Sequence, residues 1–438
     1  MIEISIPRNN IEERSYVLKL VFDTFLGLPY NLIITEKSTD YIISFYGKSI
    51  VVKDAFFSRY SSPLSYMAEE NLPTHVLFTT NPFVCEKDIP VIYGTEYVIL
   101  ENKDKVICGI DLFSSIFFMV TRWEEYVISK RDMHKRFSAR ESLAYKFHFL
   151  NRPVVNEYVE MLWNMLLYIG VSSQLRKKRN FQLTMTHDID FLKYPIMKTI
   201  RSSLGDIVKR RKFAVVLRLK YLLEKDPFDT YSWLMDVSER KGWKSQFYFM
   251  SSYNANSAYD NVFYLKEKKF ASLIHEISQR EHIIGFHPSY NSYNNEDLWK
   301  EEWNLLTSYV KQPVTEGRQH YLRIELPTTL RIWNDNGMKY DSTLGYADCE
   351  GFRCGTGDEF YVFDIISRTE MNLKERPLIV MDGTLSVYQK YSLLESYDCL
   401  KYYINISRKY NAQLTLLFHN SSFECIDWPG WKSLYEAI

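Results

Sequence analysis

The 438-residue chain predicts an α/β protein. A smaller N-terminal α/β domain is expected to precede a C-terminal (β/α) barrel of about seven strands, closed or nearly closed. Three observations predict it. Residues 1–110 alternate short β-prone runs with turns and show little helical periodicity. Beyond residue 181, apolar strand-like runs alternate with helical stretches over roughly 260 residues, which is the rhythm of parallel β/α units. Finally, Asp188 and Asp190, His287, and His419 each follow directly on an apolar run, and parallel α/β folds gather functional groups at the C-terminal ends of strands.

Taken in order, YNLIIT, YIISFYG, SIVV, THVLF and EYVIL are the strand candidates of the first part. DLFSSIFFMVTRWEEYVISK (111–130) reads as an amphipathic helix with Asp111 near its start, and VVNEYVEMLWNMLLYIG (154–170) as a second. SSQLRKKRN (172–180) is polar and basic and makes the best boundary, giving domains 1–175 and 181–438. In the second domain the strand candidates are FQLTMT (181–186), SQFYFM (245–250), HIIGF (282–286), YLRI (321–324), FYVFDI (360–365), PLIVM (377–381) and QLTLLF (413–418). Helices are expected over 229–241, 266–280, 295–309 and 391–410. Residues 191–225 break the rhythm. They carry Lys193, Lys198, Arg201, Lys209, Arg210, Arg211, Lys212, Arg218, Lys220 and Lys225 against Asp206 and Glu224. This insertion reads either as a solvated helical pair or as a lid or docking surface for anionic material: a diphosphate-lipid carrier, a nucleotide sugar or the membrane face.

Bulk properties narrow the function classes. Lys+Arg and Asp+Glu both number 54, so overall charge gives no support to a nucleic-acid partner. Six scattered cysteines without a CxxC pair argue against a structural zinc site and against a disulfide-stapled secreted domain. The start MIEISIPRNNIEERS lacks signal-peptide features, and runs such as LFSSIFFMV (112–120) are too short to span a bilayer; a cytoplasmic location is the expectation. The 33 tyrosines and 27 phenylalanines mostly fill core, with some available to line a sugar-binding cleft.

The ten residues FQLTMTHDID (181–190) carry the sharpest chemistry. In a strand, Asp188 and Asp190 project to one face and His187 to the other. Two carboxylates side by side suit a hydrolase in which one binds a metal and the other takes a proton from water; a plain Asp-rich turn or cap is the alternative. His287, before Pro288, stands as a metal ligand or a capped turn residue, and His419 as a functional strand-end group or a core histidine. Arg353, in the Gly-rich GFRCGT, is a substrate contact or a loop brace. Asp382, in VMDGTL, lines a pocket or starts a turn, and His320 faces the cleft or bonds structurally.

Over about residues 180–425 the sequence resembles the NodB-homology polysaccharide deacetylases. THDID (186–190) resembles their first motif, GFHPSYNS (285–292) the second, RQHYLRIELP (318–327) the third and LLFHN (416–420) the last. YDSTLGYADCEGFRCGT (340–356) and VMDGTL (380–385) are similar to a bacterial subgroup in which an N-terminal domain with a segment like FFMVTRWEEY precedes the barrel. The resemblance implies a NodB-like, possibly incomplete barrel and a metal-dependent N-deacetylase. It implies Asp188 as general base, Asp190 and His287 as ligands of a divalent metal (zinc first), His419 as general acid, and Arg323 as the group orienting the base. The implied partner is an amino-sugar-containing glycan, or a lipid-linked or nucleotide-linked precursor of surface polysaccharide. Peripheral membrane contact would run through 191–225. The family's second motif usually has two histidines four apart, and here position 291 is Asn. The third ligand is therefore open between Asn291, His187 and His320. The competing expectations are a catalytically decayed barrel that binds or scaffolds carbohydrate, and hydrolysis of a non-sugar amide.

Overall fold

The computed structural model describes residues 1–102, 104–194, 216, 221, 226–252, 257–261, 263 and 265–438. Most of the basic insertion 191–225, and with it the expectation of a lid or membrane-facing surface, lies outside the described residues. The chain forms two compact units of mixed α/β structure. The first is Met1–Phe181, Gly351–Pro377 and Ile406–Ala412; the second is Gln182–Glu350, Leu378–Asn405 and Gln413–Ile438.

The first unit is built on a six-stranded sheet. Its strands are β1 (Ile2–Pro7), β2 (Tyr30–Thr35), β3 (Tyr41–Phe45), β4 (Lys48–Val52), β7 (Gly94–Glu101) and β8 (Lys105–Ile110), in the order β2-β1-β3-β4-β8-β7. A separate antiparallel pair joins β5 (Leu77–Thr79) and β6 (Ile89–Val91). The helices are α1 (Ile11–Lys19), α2 (Leu112–Thr121), α3 (Trp123–Val127), α4 (Leu143–Lys146) and α5 (Val154–Tyr168). The single amphipathic helix expected over 111–130 is instead two. Every residue of α2 is buried, and its N-terminus is capped by Asp111, which accepts from the Ser114 amide at 3.0 Å. The helix ends at Arg122, whose φ of 55° is left-handed. The Arg122 guanidinium turns onto Glu124 and, at 2.8 Å, onto Glu125, so the break is held by buried ion pairs.

The second unit starts with β9 (Gln182–Ile189), followed by α6 (Tyr231–Arg240), β10 (Ser245–Phe249), α7 (Lys268–Gln279), β11 (Ile283–Phe286), α8 (Glu296–Tyr309), β12 (Glu316–Gly317), α9 (Thr328–Asp335) and β13 (Tyr340–Asp341). The chain then returns to the first unit for an antiparallel hairpin, β14 (Phe360–Asp364) and β15 (Thr369–Glu375). FYVFDI is a strand, as expected, but residues 351–377 fall in the first unit, so the division at residue 181 is not the whole partition. The physical reason is aromatic packing: the Phe363 ring lies 4.8 Å from Tyr16 and 5.5 Å from Phe117, and the Tyr16 hydroxyl donates to the Tyr361 carbonyl at 2.7 Å.

After the hairpin come β16 (Leu378–Met381), α10 (Leu393–Lys409), β17 (Gln413–Leu417) and α11 (Trp431–Glu436). The second unit's seven strands pair in parallel in the order β13-β12-β11-β10-β9-β17-β16, and no pairing joins β13 to β16 among the described residues. The sheet is thus not a closed ring. Two of its strands are only two residues long, too short to show in the pattern of apolar residues. YLRI, expected as a strand, is a turn, with Tyr321 at φ 61° and Leu322 at φ 54°. Leu322, Ala347, Leu378 and Leu417 form an apolar cluster with Met381 packed against it. At Gly317 a Cβ would lie 1.9 Å from the Phe286 carbonyl oxygen, so only glycine allows β12 to approach β11 there.

Candidate active site

Five strand ends of the second unit deliver the chemistry. Asp188 lies in the last turn of the pleat in β9 and Asp190 just beyond it; His287 follows β11, Arg318 follows β12, Asp382 follows β16, and His419 follows β17 at a spacing of two residues. Alternation within β9 sends Asp188 to the site and His187 away from it. His187 is fully buried: its Nδ1 lies 2.8 Å from the Phe418 carbonyl, its Nε2 3.2 Å from Ser245 Oγ, and its ring 5.0 Å from that of Phe247. Burial holds its pKa down to about 4. His187 is a structural residue and is removed from the possible ligands.

The remaining histidines converge on Asp190. Its Oδ1 lies 3.3 Å from His287 Nε2 and 3.7 Å from His320 Nε2, and its Oδ2 lies 3.8 Å from His419 Nε2. Burial would raise the Asp190 pKa, but the three imidazoles outweigh it and hold the carboxyl well below the usual carboxylate range. Nδ1 of His287 lies 2.7 Å from the Arg318 carbonyl, an oxygen that can only accept, so Nδ1 carries a proton and Nε2, facing Asp190, is the nitrogen left to meet a cation. His320 is set the same way, its Nδ1 3.0 Å from Asp260 Oδ1.

Asp190, His287 and His320 fit a divalent ion. Each offers one donor atom, all within 4.8 Å of one another, and among the described residues no other group of three does so. Asp190 Oδ1 is buried and accepts no hydrogen bond, which an ion would remedy. A tetrahedral zinc with bonds of about 2.0–2.1 Å sets its ligands roughly 3.4 Å apart, close to the separations seen here. Asn291 is not in this group; its Oδ1 accepts from Arg323 at 3.3 Å.

Asp188 flanks the group, its Oδ2 3.8 Å from His287 Nε2. Its Oδ1 accepts from Arg318 Nη1 at 2.8 Å. Arg318 is completely buried, and it also donates to Thr186 Oγ1 at 2.9 Å and to the carbonyl and hydroxyl of Ser342, both at 2.8 Å. The expectation that Arg323 grips Asp188 is therefore corrected. Arg323 follows the left-handed turn, donates to the Tyr290 carbonyl and lies between the rings of Tyr290 and Tyr293, 3.8 and 3.9 Å from their centroids. Sequence reasoning passed over Arg318, although it sits in the same motif, because β12 gave no apolar run to mark it as a strand-end residue.

On the other side, Asp382 accepts from the His419 amide at 2.8 Å and lies 2.8 Å from its Nδ1. Burial alone would lower the His419 pKa; Asp382 first, then Asp190 and Asp188, raise it to about 10, so the ring is cationic at neutral pH. Asp382 is thus a partner of His419, a role its position after β16 was consistent with but did not reveal. Arg353 is elsewhere: it belongs to the first unit, is buried, and pairs there with Glu125 through both Nε, at 2.9 Å, and Nη2. It is a structural ion-pair residue of that unit, which corrects its candidacy as a substrate contact. Asp260, held by Ser257 and by the Tyr290 amide at 2.8 Å each, was not found from sequence, since a lone Asp in a polar loop carries no signal.

Comparison with known proteins adds little chemistry. A family model described as a family of unknown function (DUF7033) matches residues 2–170, less than half of the chain. No curated protein matches. One solved structure that matches, "Crystal structure of putative polysaccharide deacetylase from Mycobacterium smegmatis", is 13% identical, with 61% of this chain and 84% of that one covered and a TM-score of 0.38. Likeness at that level decides neither fold nor activity. No helix of the described residues is long and apolar enough to cross a membrane.

Proposed function

We propose that the second unit is a metal-dependent hydrolase that removes the acetyl group from an N-acetylated amino sugar of a surface-polysaccharide precursor. The observation that carries this is the convergence of Asp190, His287 and His320 on one point, with Asp188 and the Asp382–His419 pair beside it. Asp190, His287 and His320 would hold the ion, zinc by their ligand chemistry. Such an ion lowers the pKa of water and polarises an amide carbonyl.

Everything else falls to the chain's own side chains. Asp188, its rotamer locked by Arg318, accepts a proton from the attacking water. His419, kept cationic by Asp382, gives a proton to the departing amine nitrogen. An amine is a poor leaving group unless protonated, so an acid that stays charged at neutral pH favours an amide over an ester as substrate. The products are acetate and a free amino sugar. Tyr259, exposed and packed on Tyr290 and Tyr321 with ring centroids 4.5 and 5.4 Å away, supplies an apolar surface suited to a pyranose.

The test is acetate release from acetylated amino sugars and their oligomers by purified protein with Zn²⁺ or Co²⁺, with Asp188→Asn as control. No release over a broad panel, or release undiminished in Asp188→Asn, would refute the proposal. Asn291, where the resembling family has histidine, favours a second reading: a carbohydrate-binding unit without turnover. That reading expects sugar affinity and no metal after purification, so elemental analysis separates the two.

A further inference from the structure

We propose that Asp260 is the positioning residue that makes His320 a metal ligand, so that a carboxylate–histidine pair from two loops takes the place left by Asn291. The inference rests on the metal centre proposed above and deepens it.

The geometry is specific. His320 sits in the turn after β12, at the start of a backbone that passes through two left-handed residues, Tyr321 and Leu322. With Nε2 3.7 Å from Asp190 Oδ1, the His320 ring is held from its other nitrogen by Asp260. Its Oδ1 is 3.0 Å from His320 Nδ1, and a carboxylate there requires the proton on Nδ1, leaving the Nε2 lone pair for a cation. Asp260 is itself held on both oxygens. Oδ1 accepts from the Tyr290 amide at 2.8 Å, and Oδ2 accepts from Ser257 Oγ at 2.8 Å. The Tyr290 amide belongs to the same loop as His287 and Asn291, so one carboxylate ties three loops together.

His287 shows the contrast. Its Nδ1 is fixed by a backbone carbonyl, that of Arg318, and needs no side chain to set it. Position 291, where the resembling family supplies its second histidine, is turned toward Arg323 instead. Asp260 therefore does for His320 what main chain does for His287: it fixes the tautomer and fixes the ring.

The test is Co²⁺ alone, titrated against metal-stripped protein and followed by the visible absorption of the bound ion, with chelator competition for affinity. Wild-type protein is expected to bind one equivalent. Asp260→Asn is expected to bind about 10–100-fold more weakly, the range for losing an outer carboxylate. In a His320→Ala background the further change Asp260→Asn is expected to have no effect on Co²⁺ affinity, an outcome that a merely structural role would not give. Co²⁺ affinity within twofold of wild type in Asp260→Asn, or additive losses in the double variant, overturns the proposal. Should Asp260→Asn not fold, Asp260→Glu, which keeps the charge but lengthens the arm, carries the same expectation and the same refutation. Wild-type protein that binds no Co²⁺ at all sinks the metal centre itself, a failure distinct from the first.

Discussion

Replacing Arg318 by methionine tests the frame of the site without any substrate. The side chain is fully buried and donates four hydrogen bonds of 2.8–2.9 Å, to Asp188, to Thr186 and twice to Ser342. Methionine fills a similar volume but has no donors, so Asp188 would keep a buried charge without its guanidinium. Breaking a buried pair by removing one partner costs roughly 3–5 kcal/mol. His287 Nε2, 3.8 Å from Asp188 Oδ2, offsets part of this, which places the expectation near the lower end, about 3 kcal/mol. For a unit of this size that is a fall of about 6–12 °C in melting temperature. The assay is urea and thermal unfolding of metal-stripped protein. Adding Asp188→Asn removes the stranded charge and is expected to recover at least half of the loss, since the cost lies in the uncompensated ion. A loss below about 1 kcal/mol in Arg318→Met, or a deeper loss on adding Asp188→Asn, would show that this pair is not what holds the base in place.

Three further outcomes are expected. Asp382→Asn removes the main cause of the raised His419 pKa; a histidine whose folded pKa is raised contributes stability that is full below about pH 6.5 and lost as pH rises through about 10. The variant should therefore be less stable than wild type at pH 6 and equal to it above pH 10.5, and the alkaline limb of its kcat/KM profile should move down by at least about one unit, read from a pH series. His187 has its folded pKa depressed to about 4, so the unfolded state takes up the proton first and stability falls between about pH 6.5 and 4. His187→Gln should flatten that slope, measured as urea midpoints against pH, without changing metal content. Finally, His287→Ala and His320→Ala should each lose stoichiometric metal by elemental analysis, whereas Asn291→Ala and Arg323→Ala should keep it; metal retained in His320→Ala would return the third ligand to another residue.

Much of the second unit is legible in the chain. Long apolar runs such as those of β9, β10 and β17 are strong signals because a buried parallel strand needs apolar side chains on both faces. Helices over 231–240, 268–279, 296–309 and 393–409 fall where the periodicity puts them. The pairing of Asp188 and Asp190 on one face, with His187 opposite, follows from the two-residue period of a strand. β12 and β13 did not register, since two residues carry no period. Arg318 against Arg323 was decided wrongly for the same reason: without a visible strand end, neither arginine is marked.

The sequence by itself determined the longer strands β9, β10, β11, β16 and β17 and placed Asp188, Asp190, His287 and His419 at strand ends, because those properties depend on local spacing and hydrophobicity. Tertiary structure decided which of those ends meet. Only folding brings Asp260 to His320 across 60 positions, sets Asp382 against His419, and turns Arg323 aside into two tyrosine rings. Only folding, too, returns residues 351–377 to the first unit and seats Arg353 on Glu125 there. Contacts between residues far apart in the chain leave no local periodicity to read, and the orientation of a side chain in a turn is set by the partners it finds.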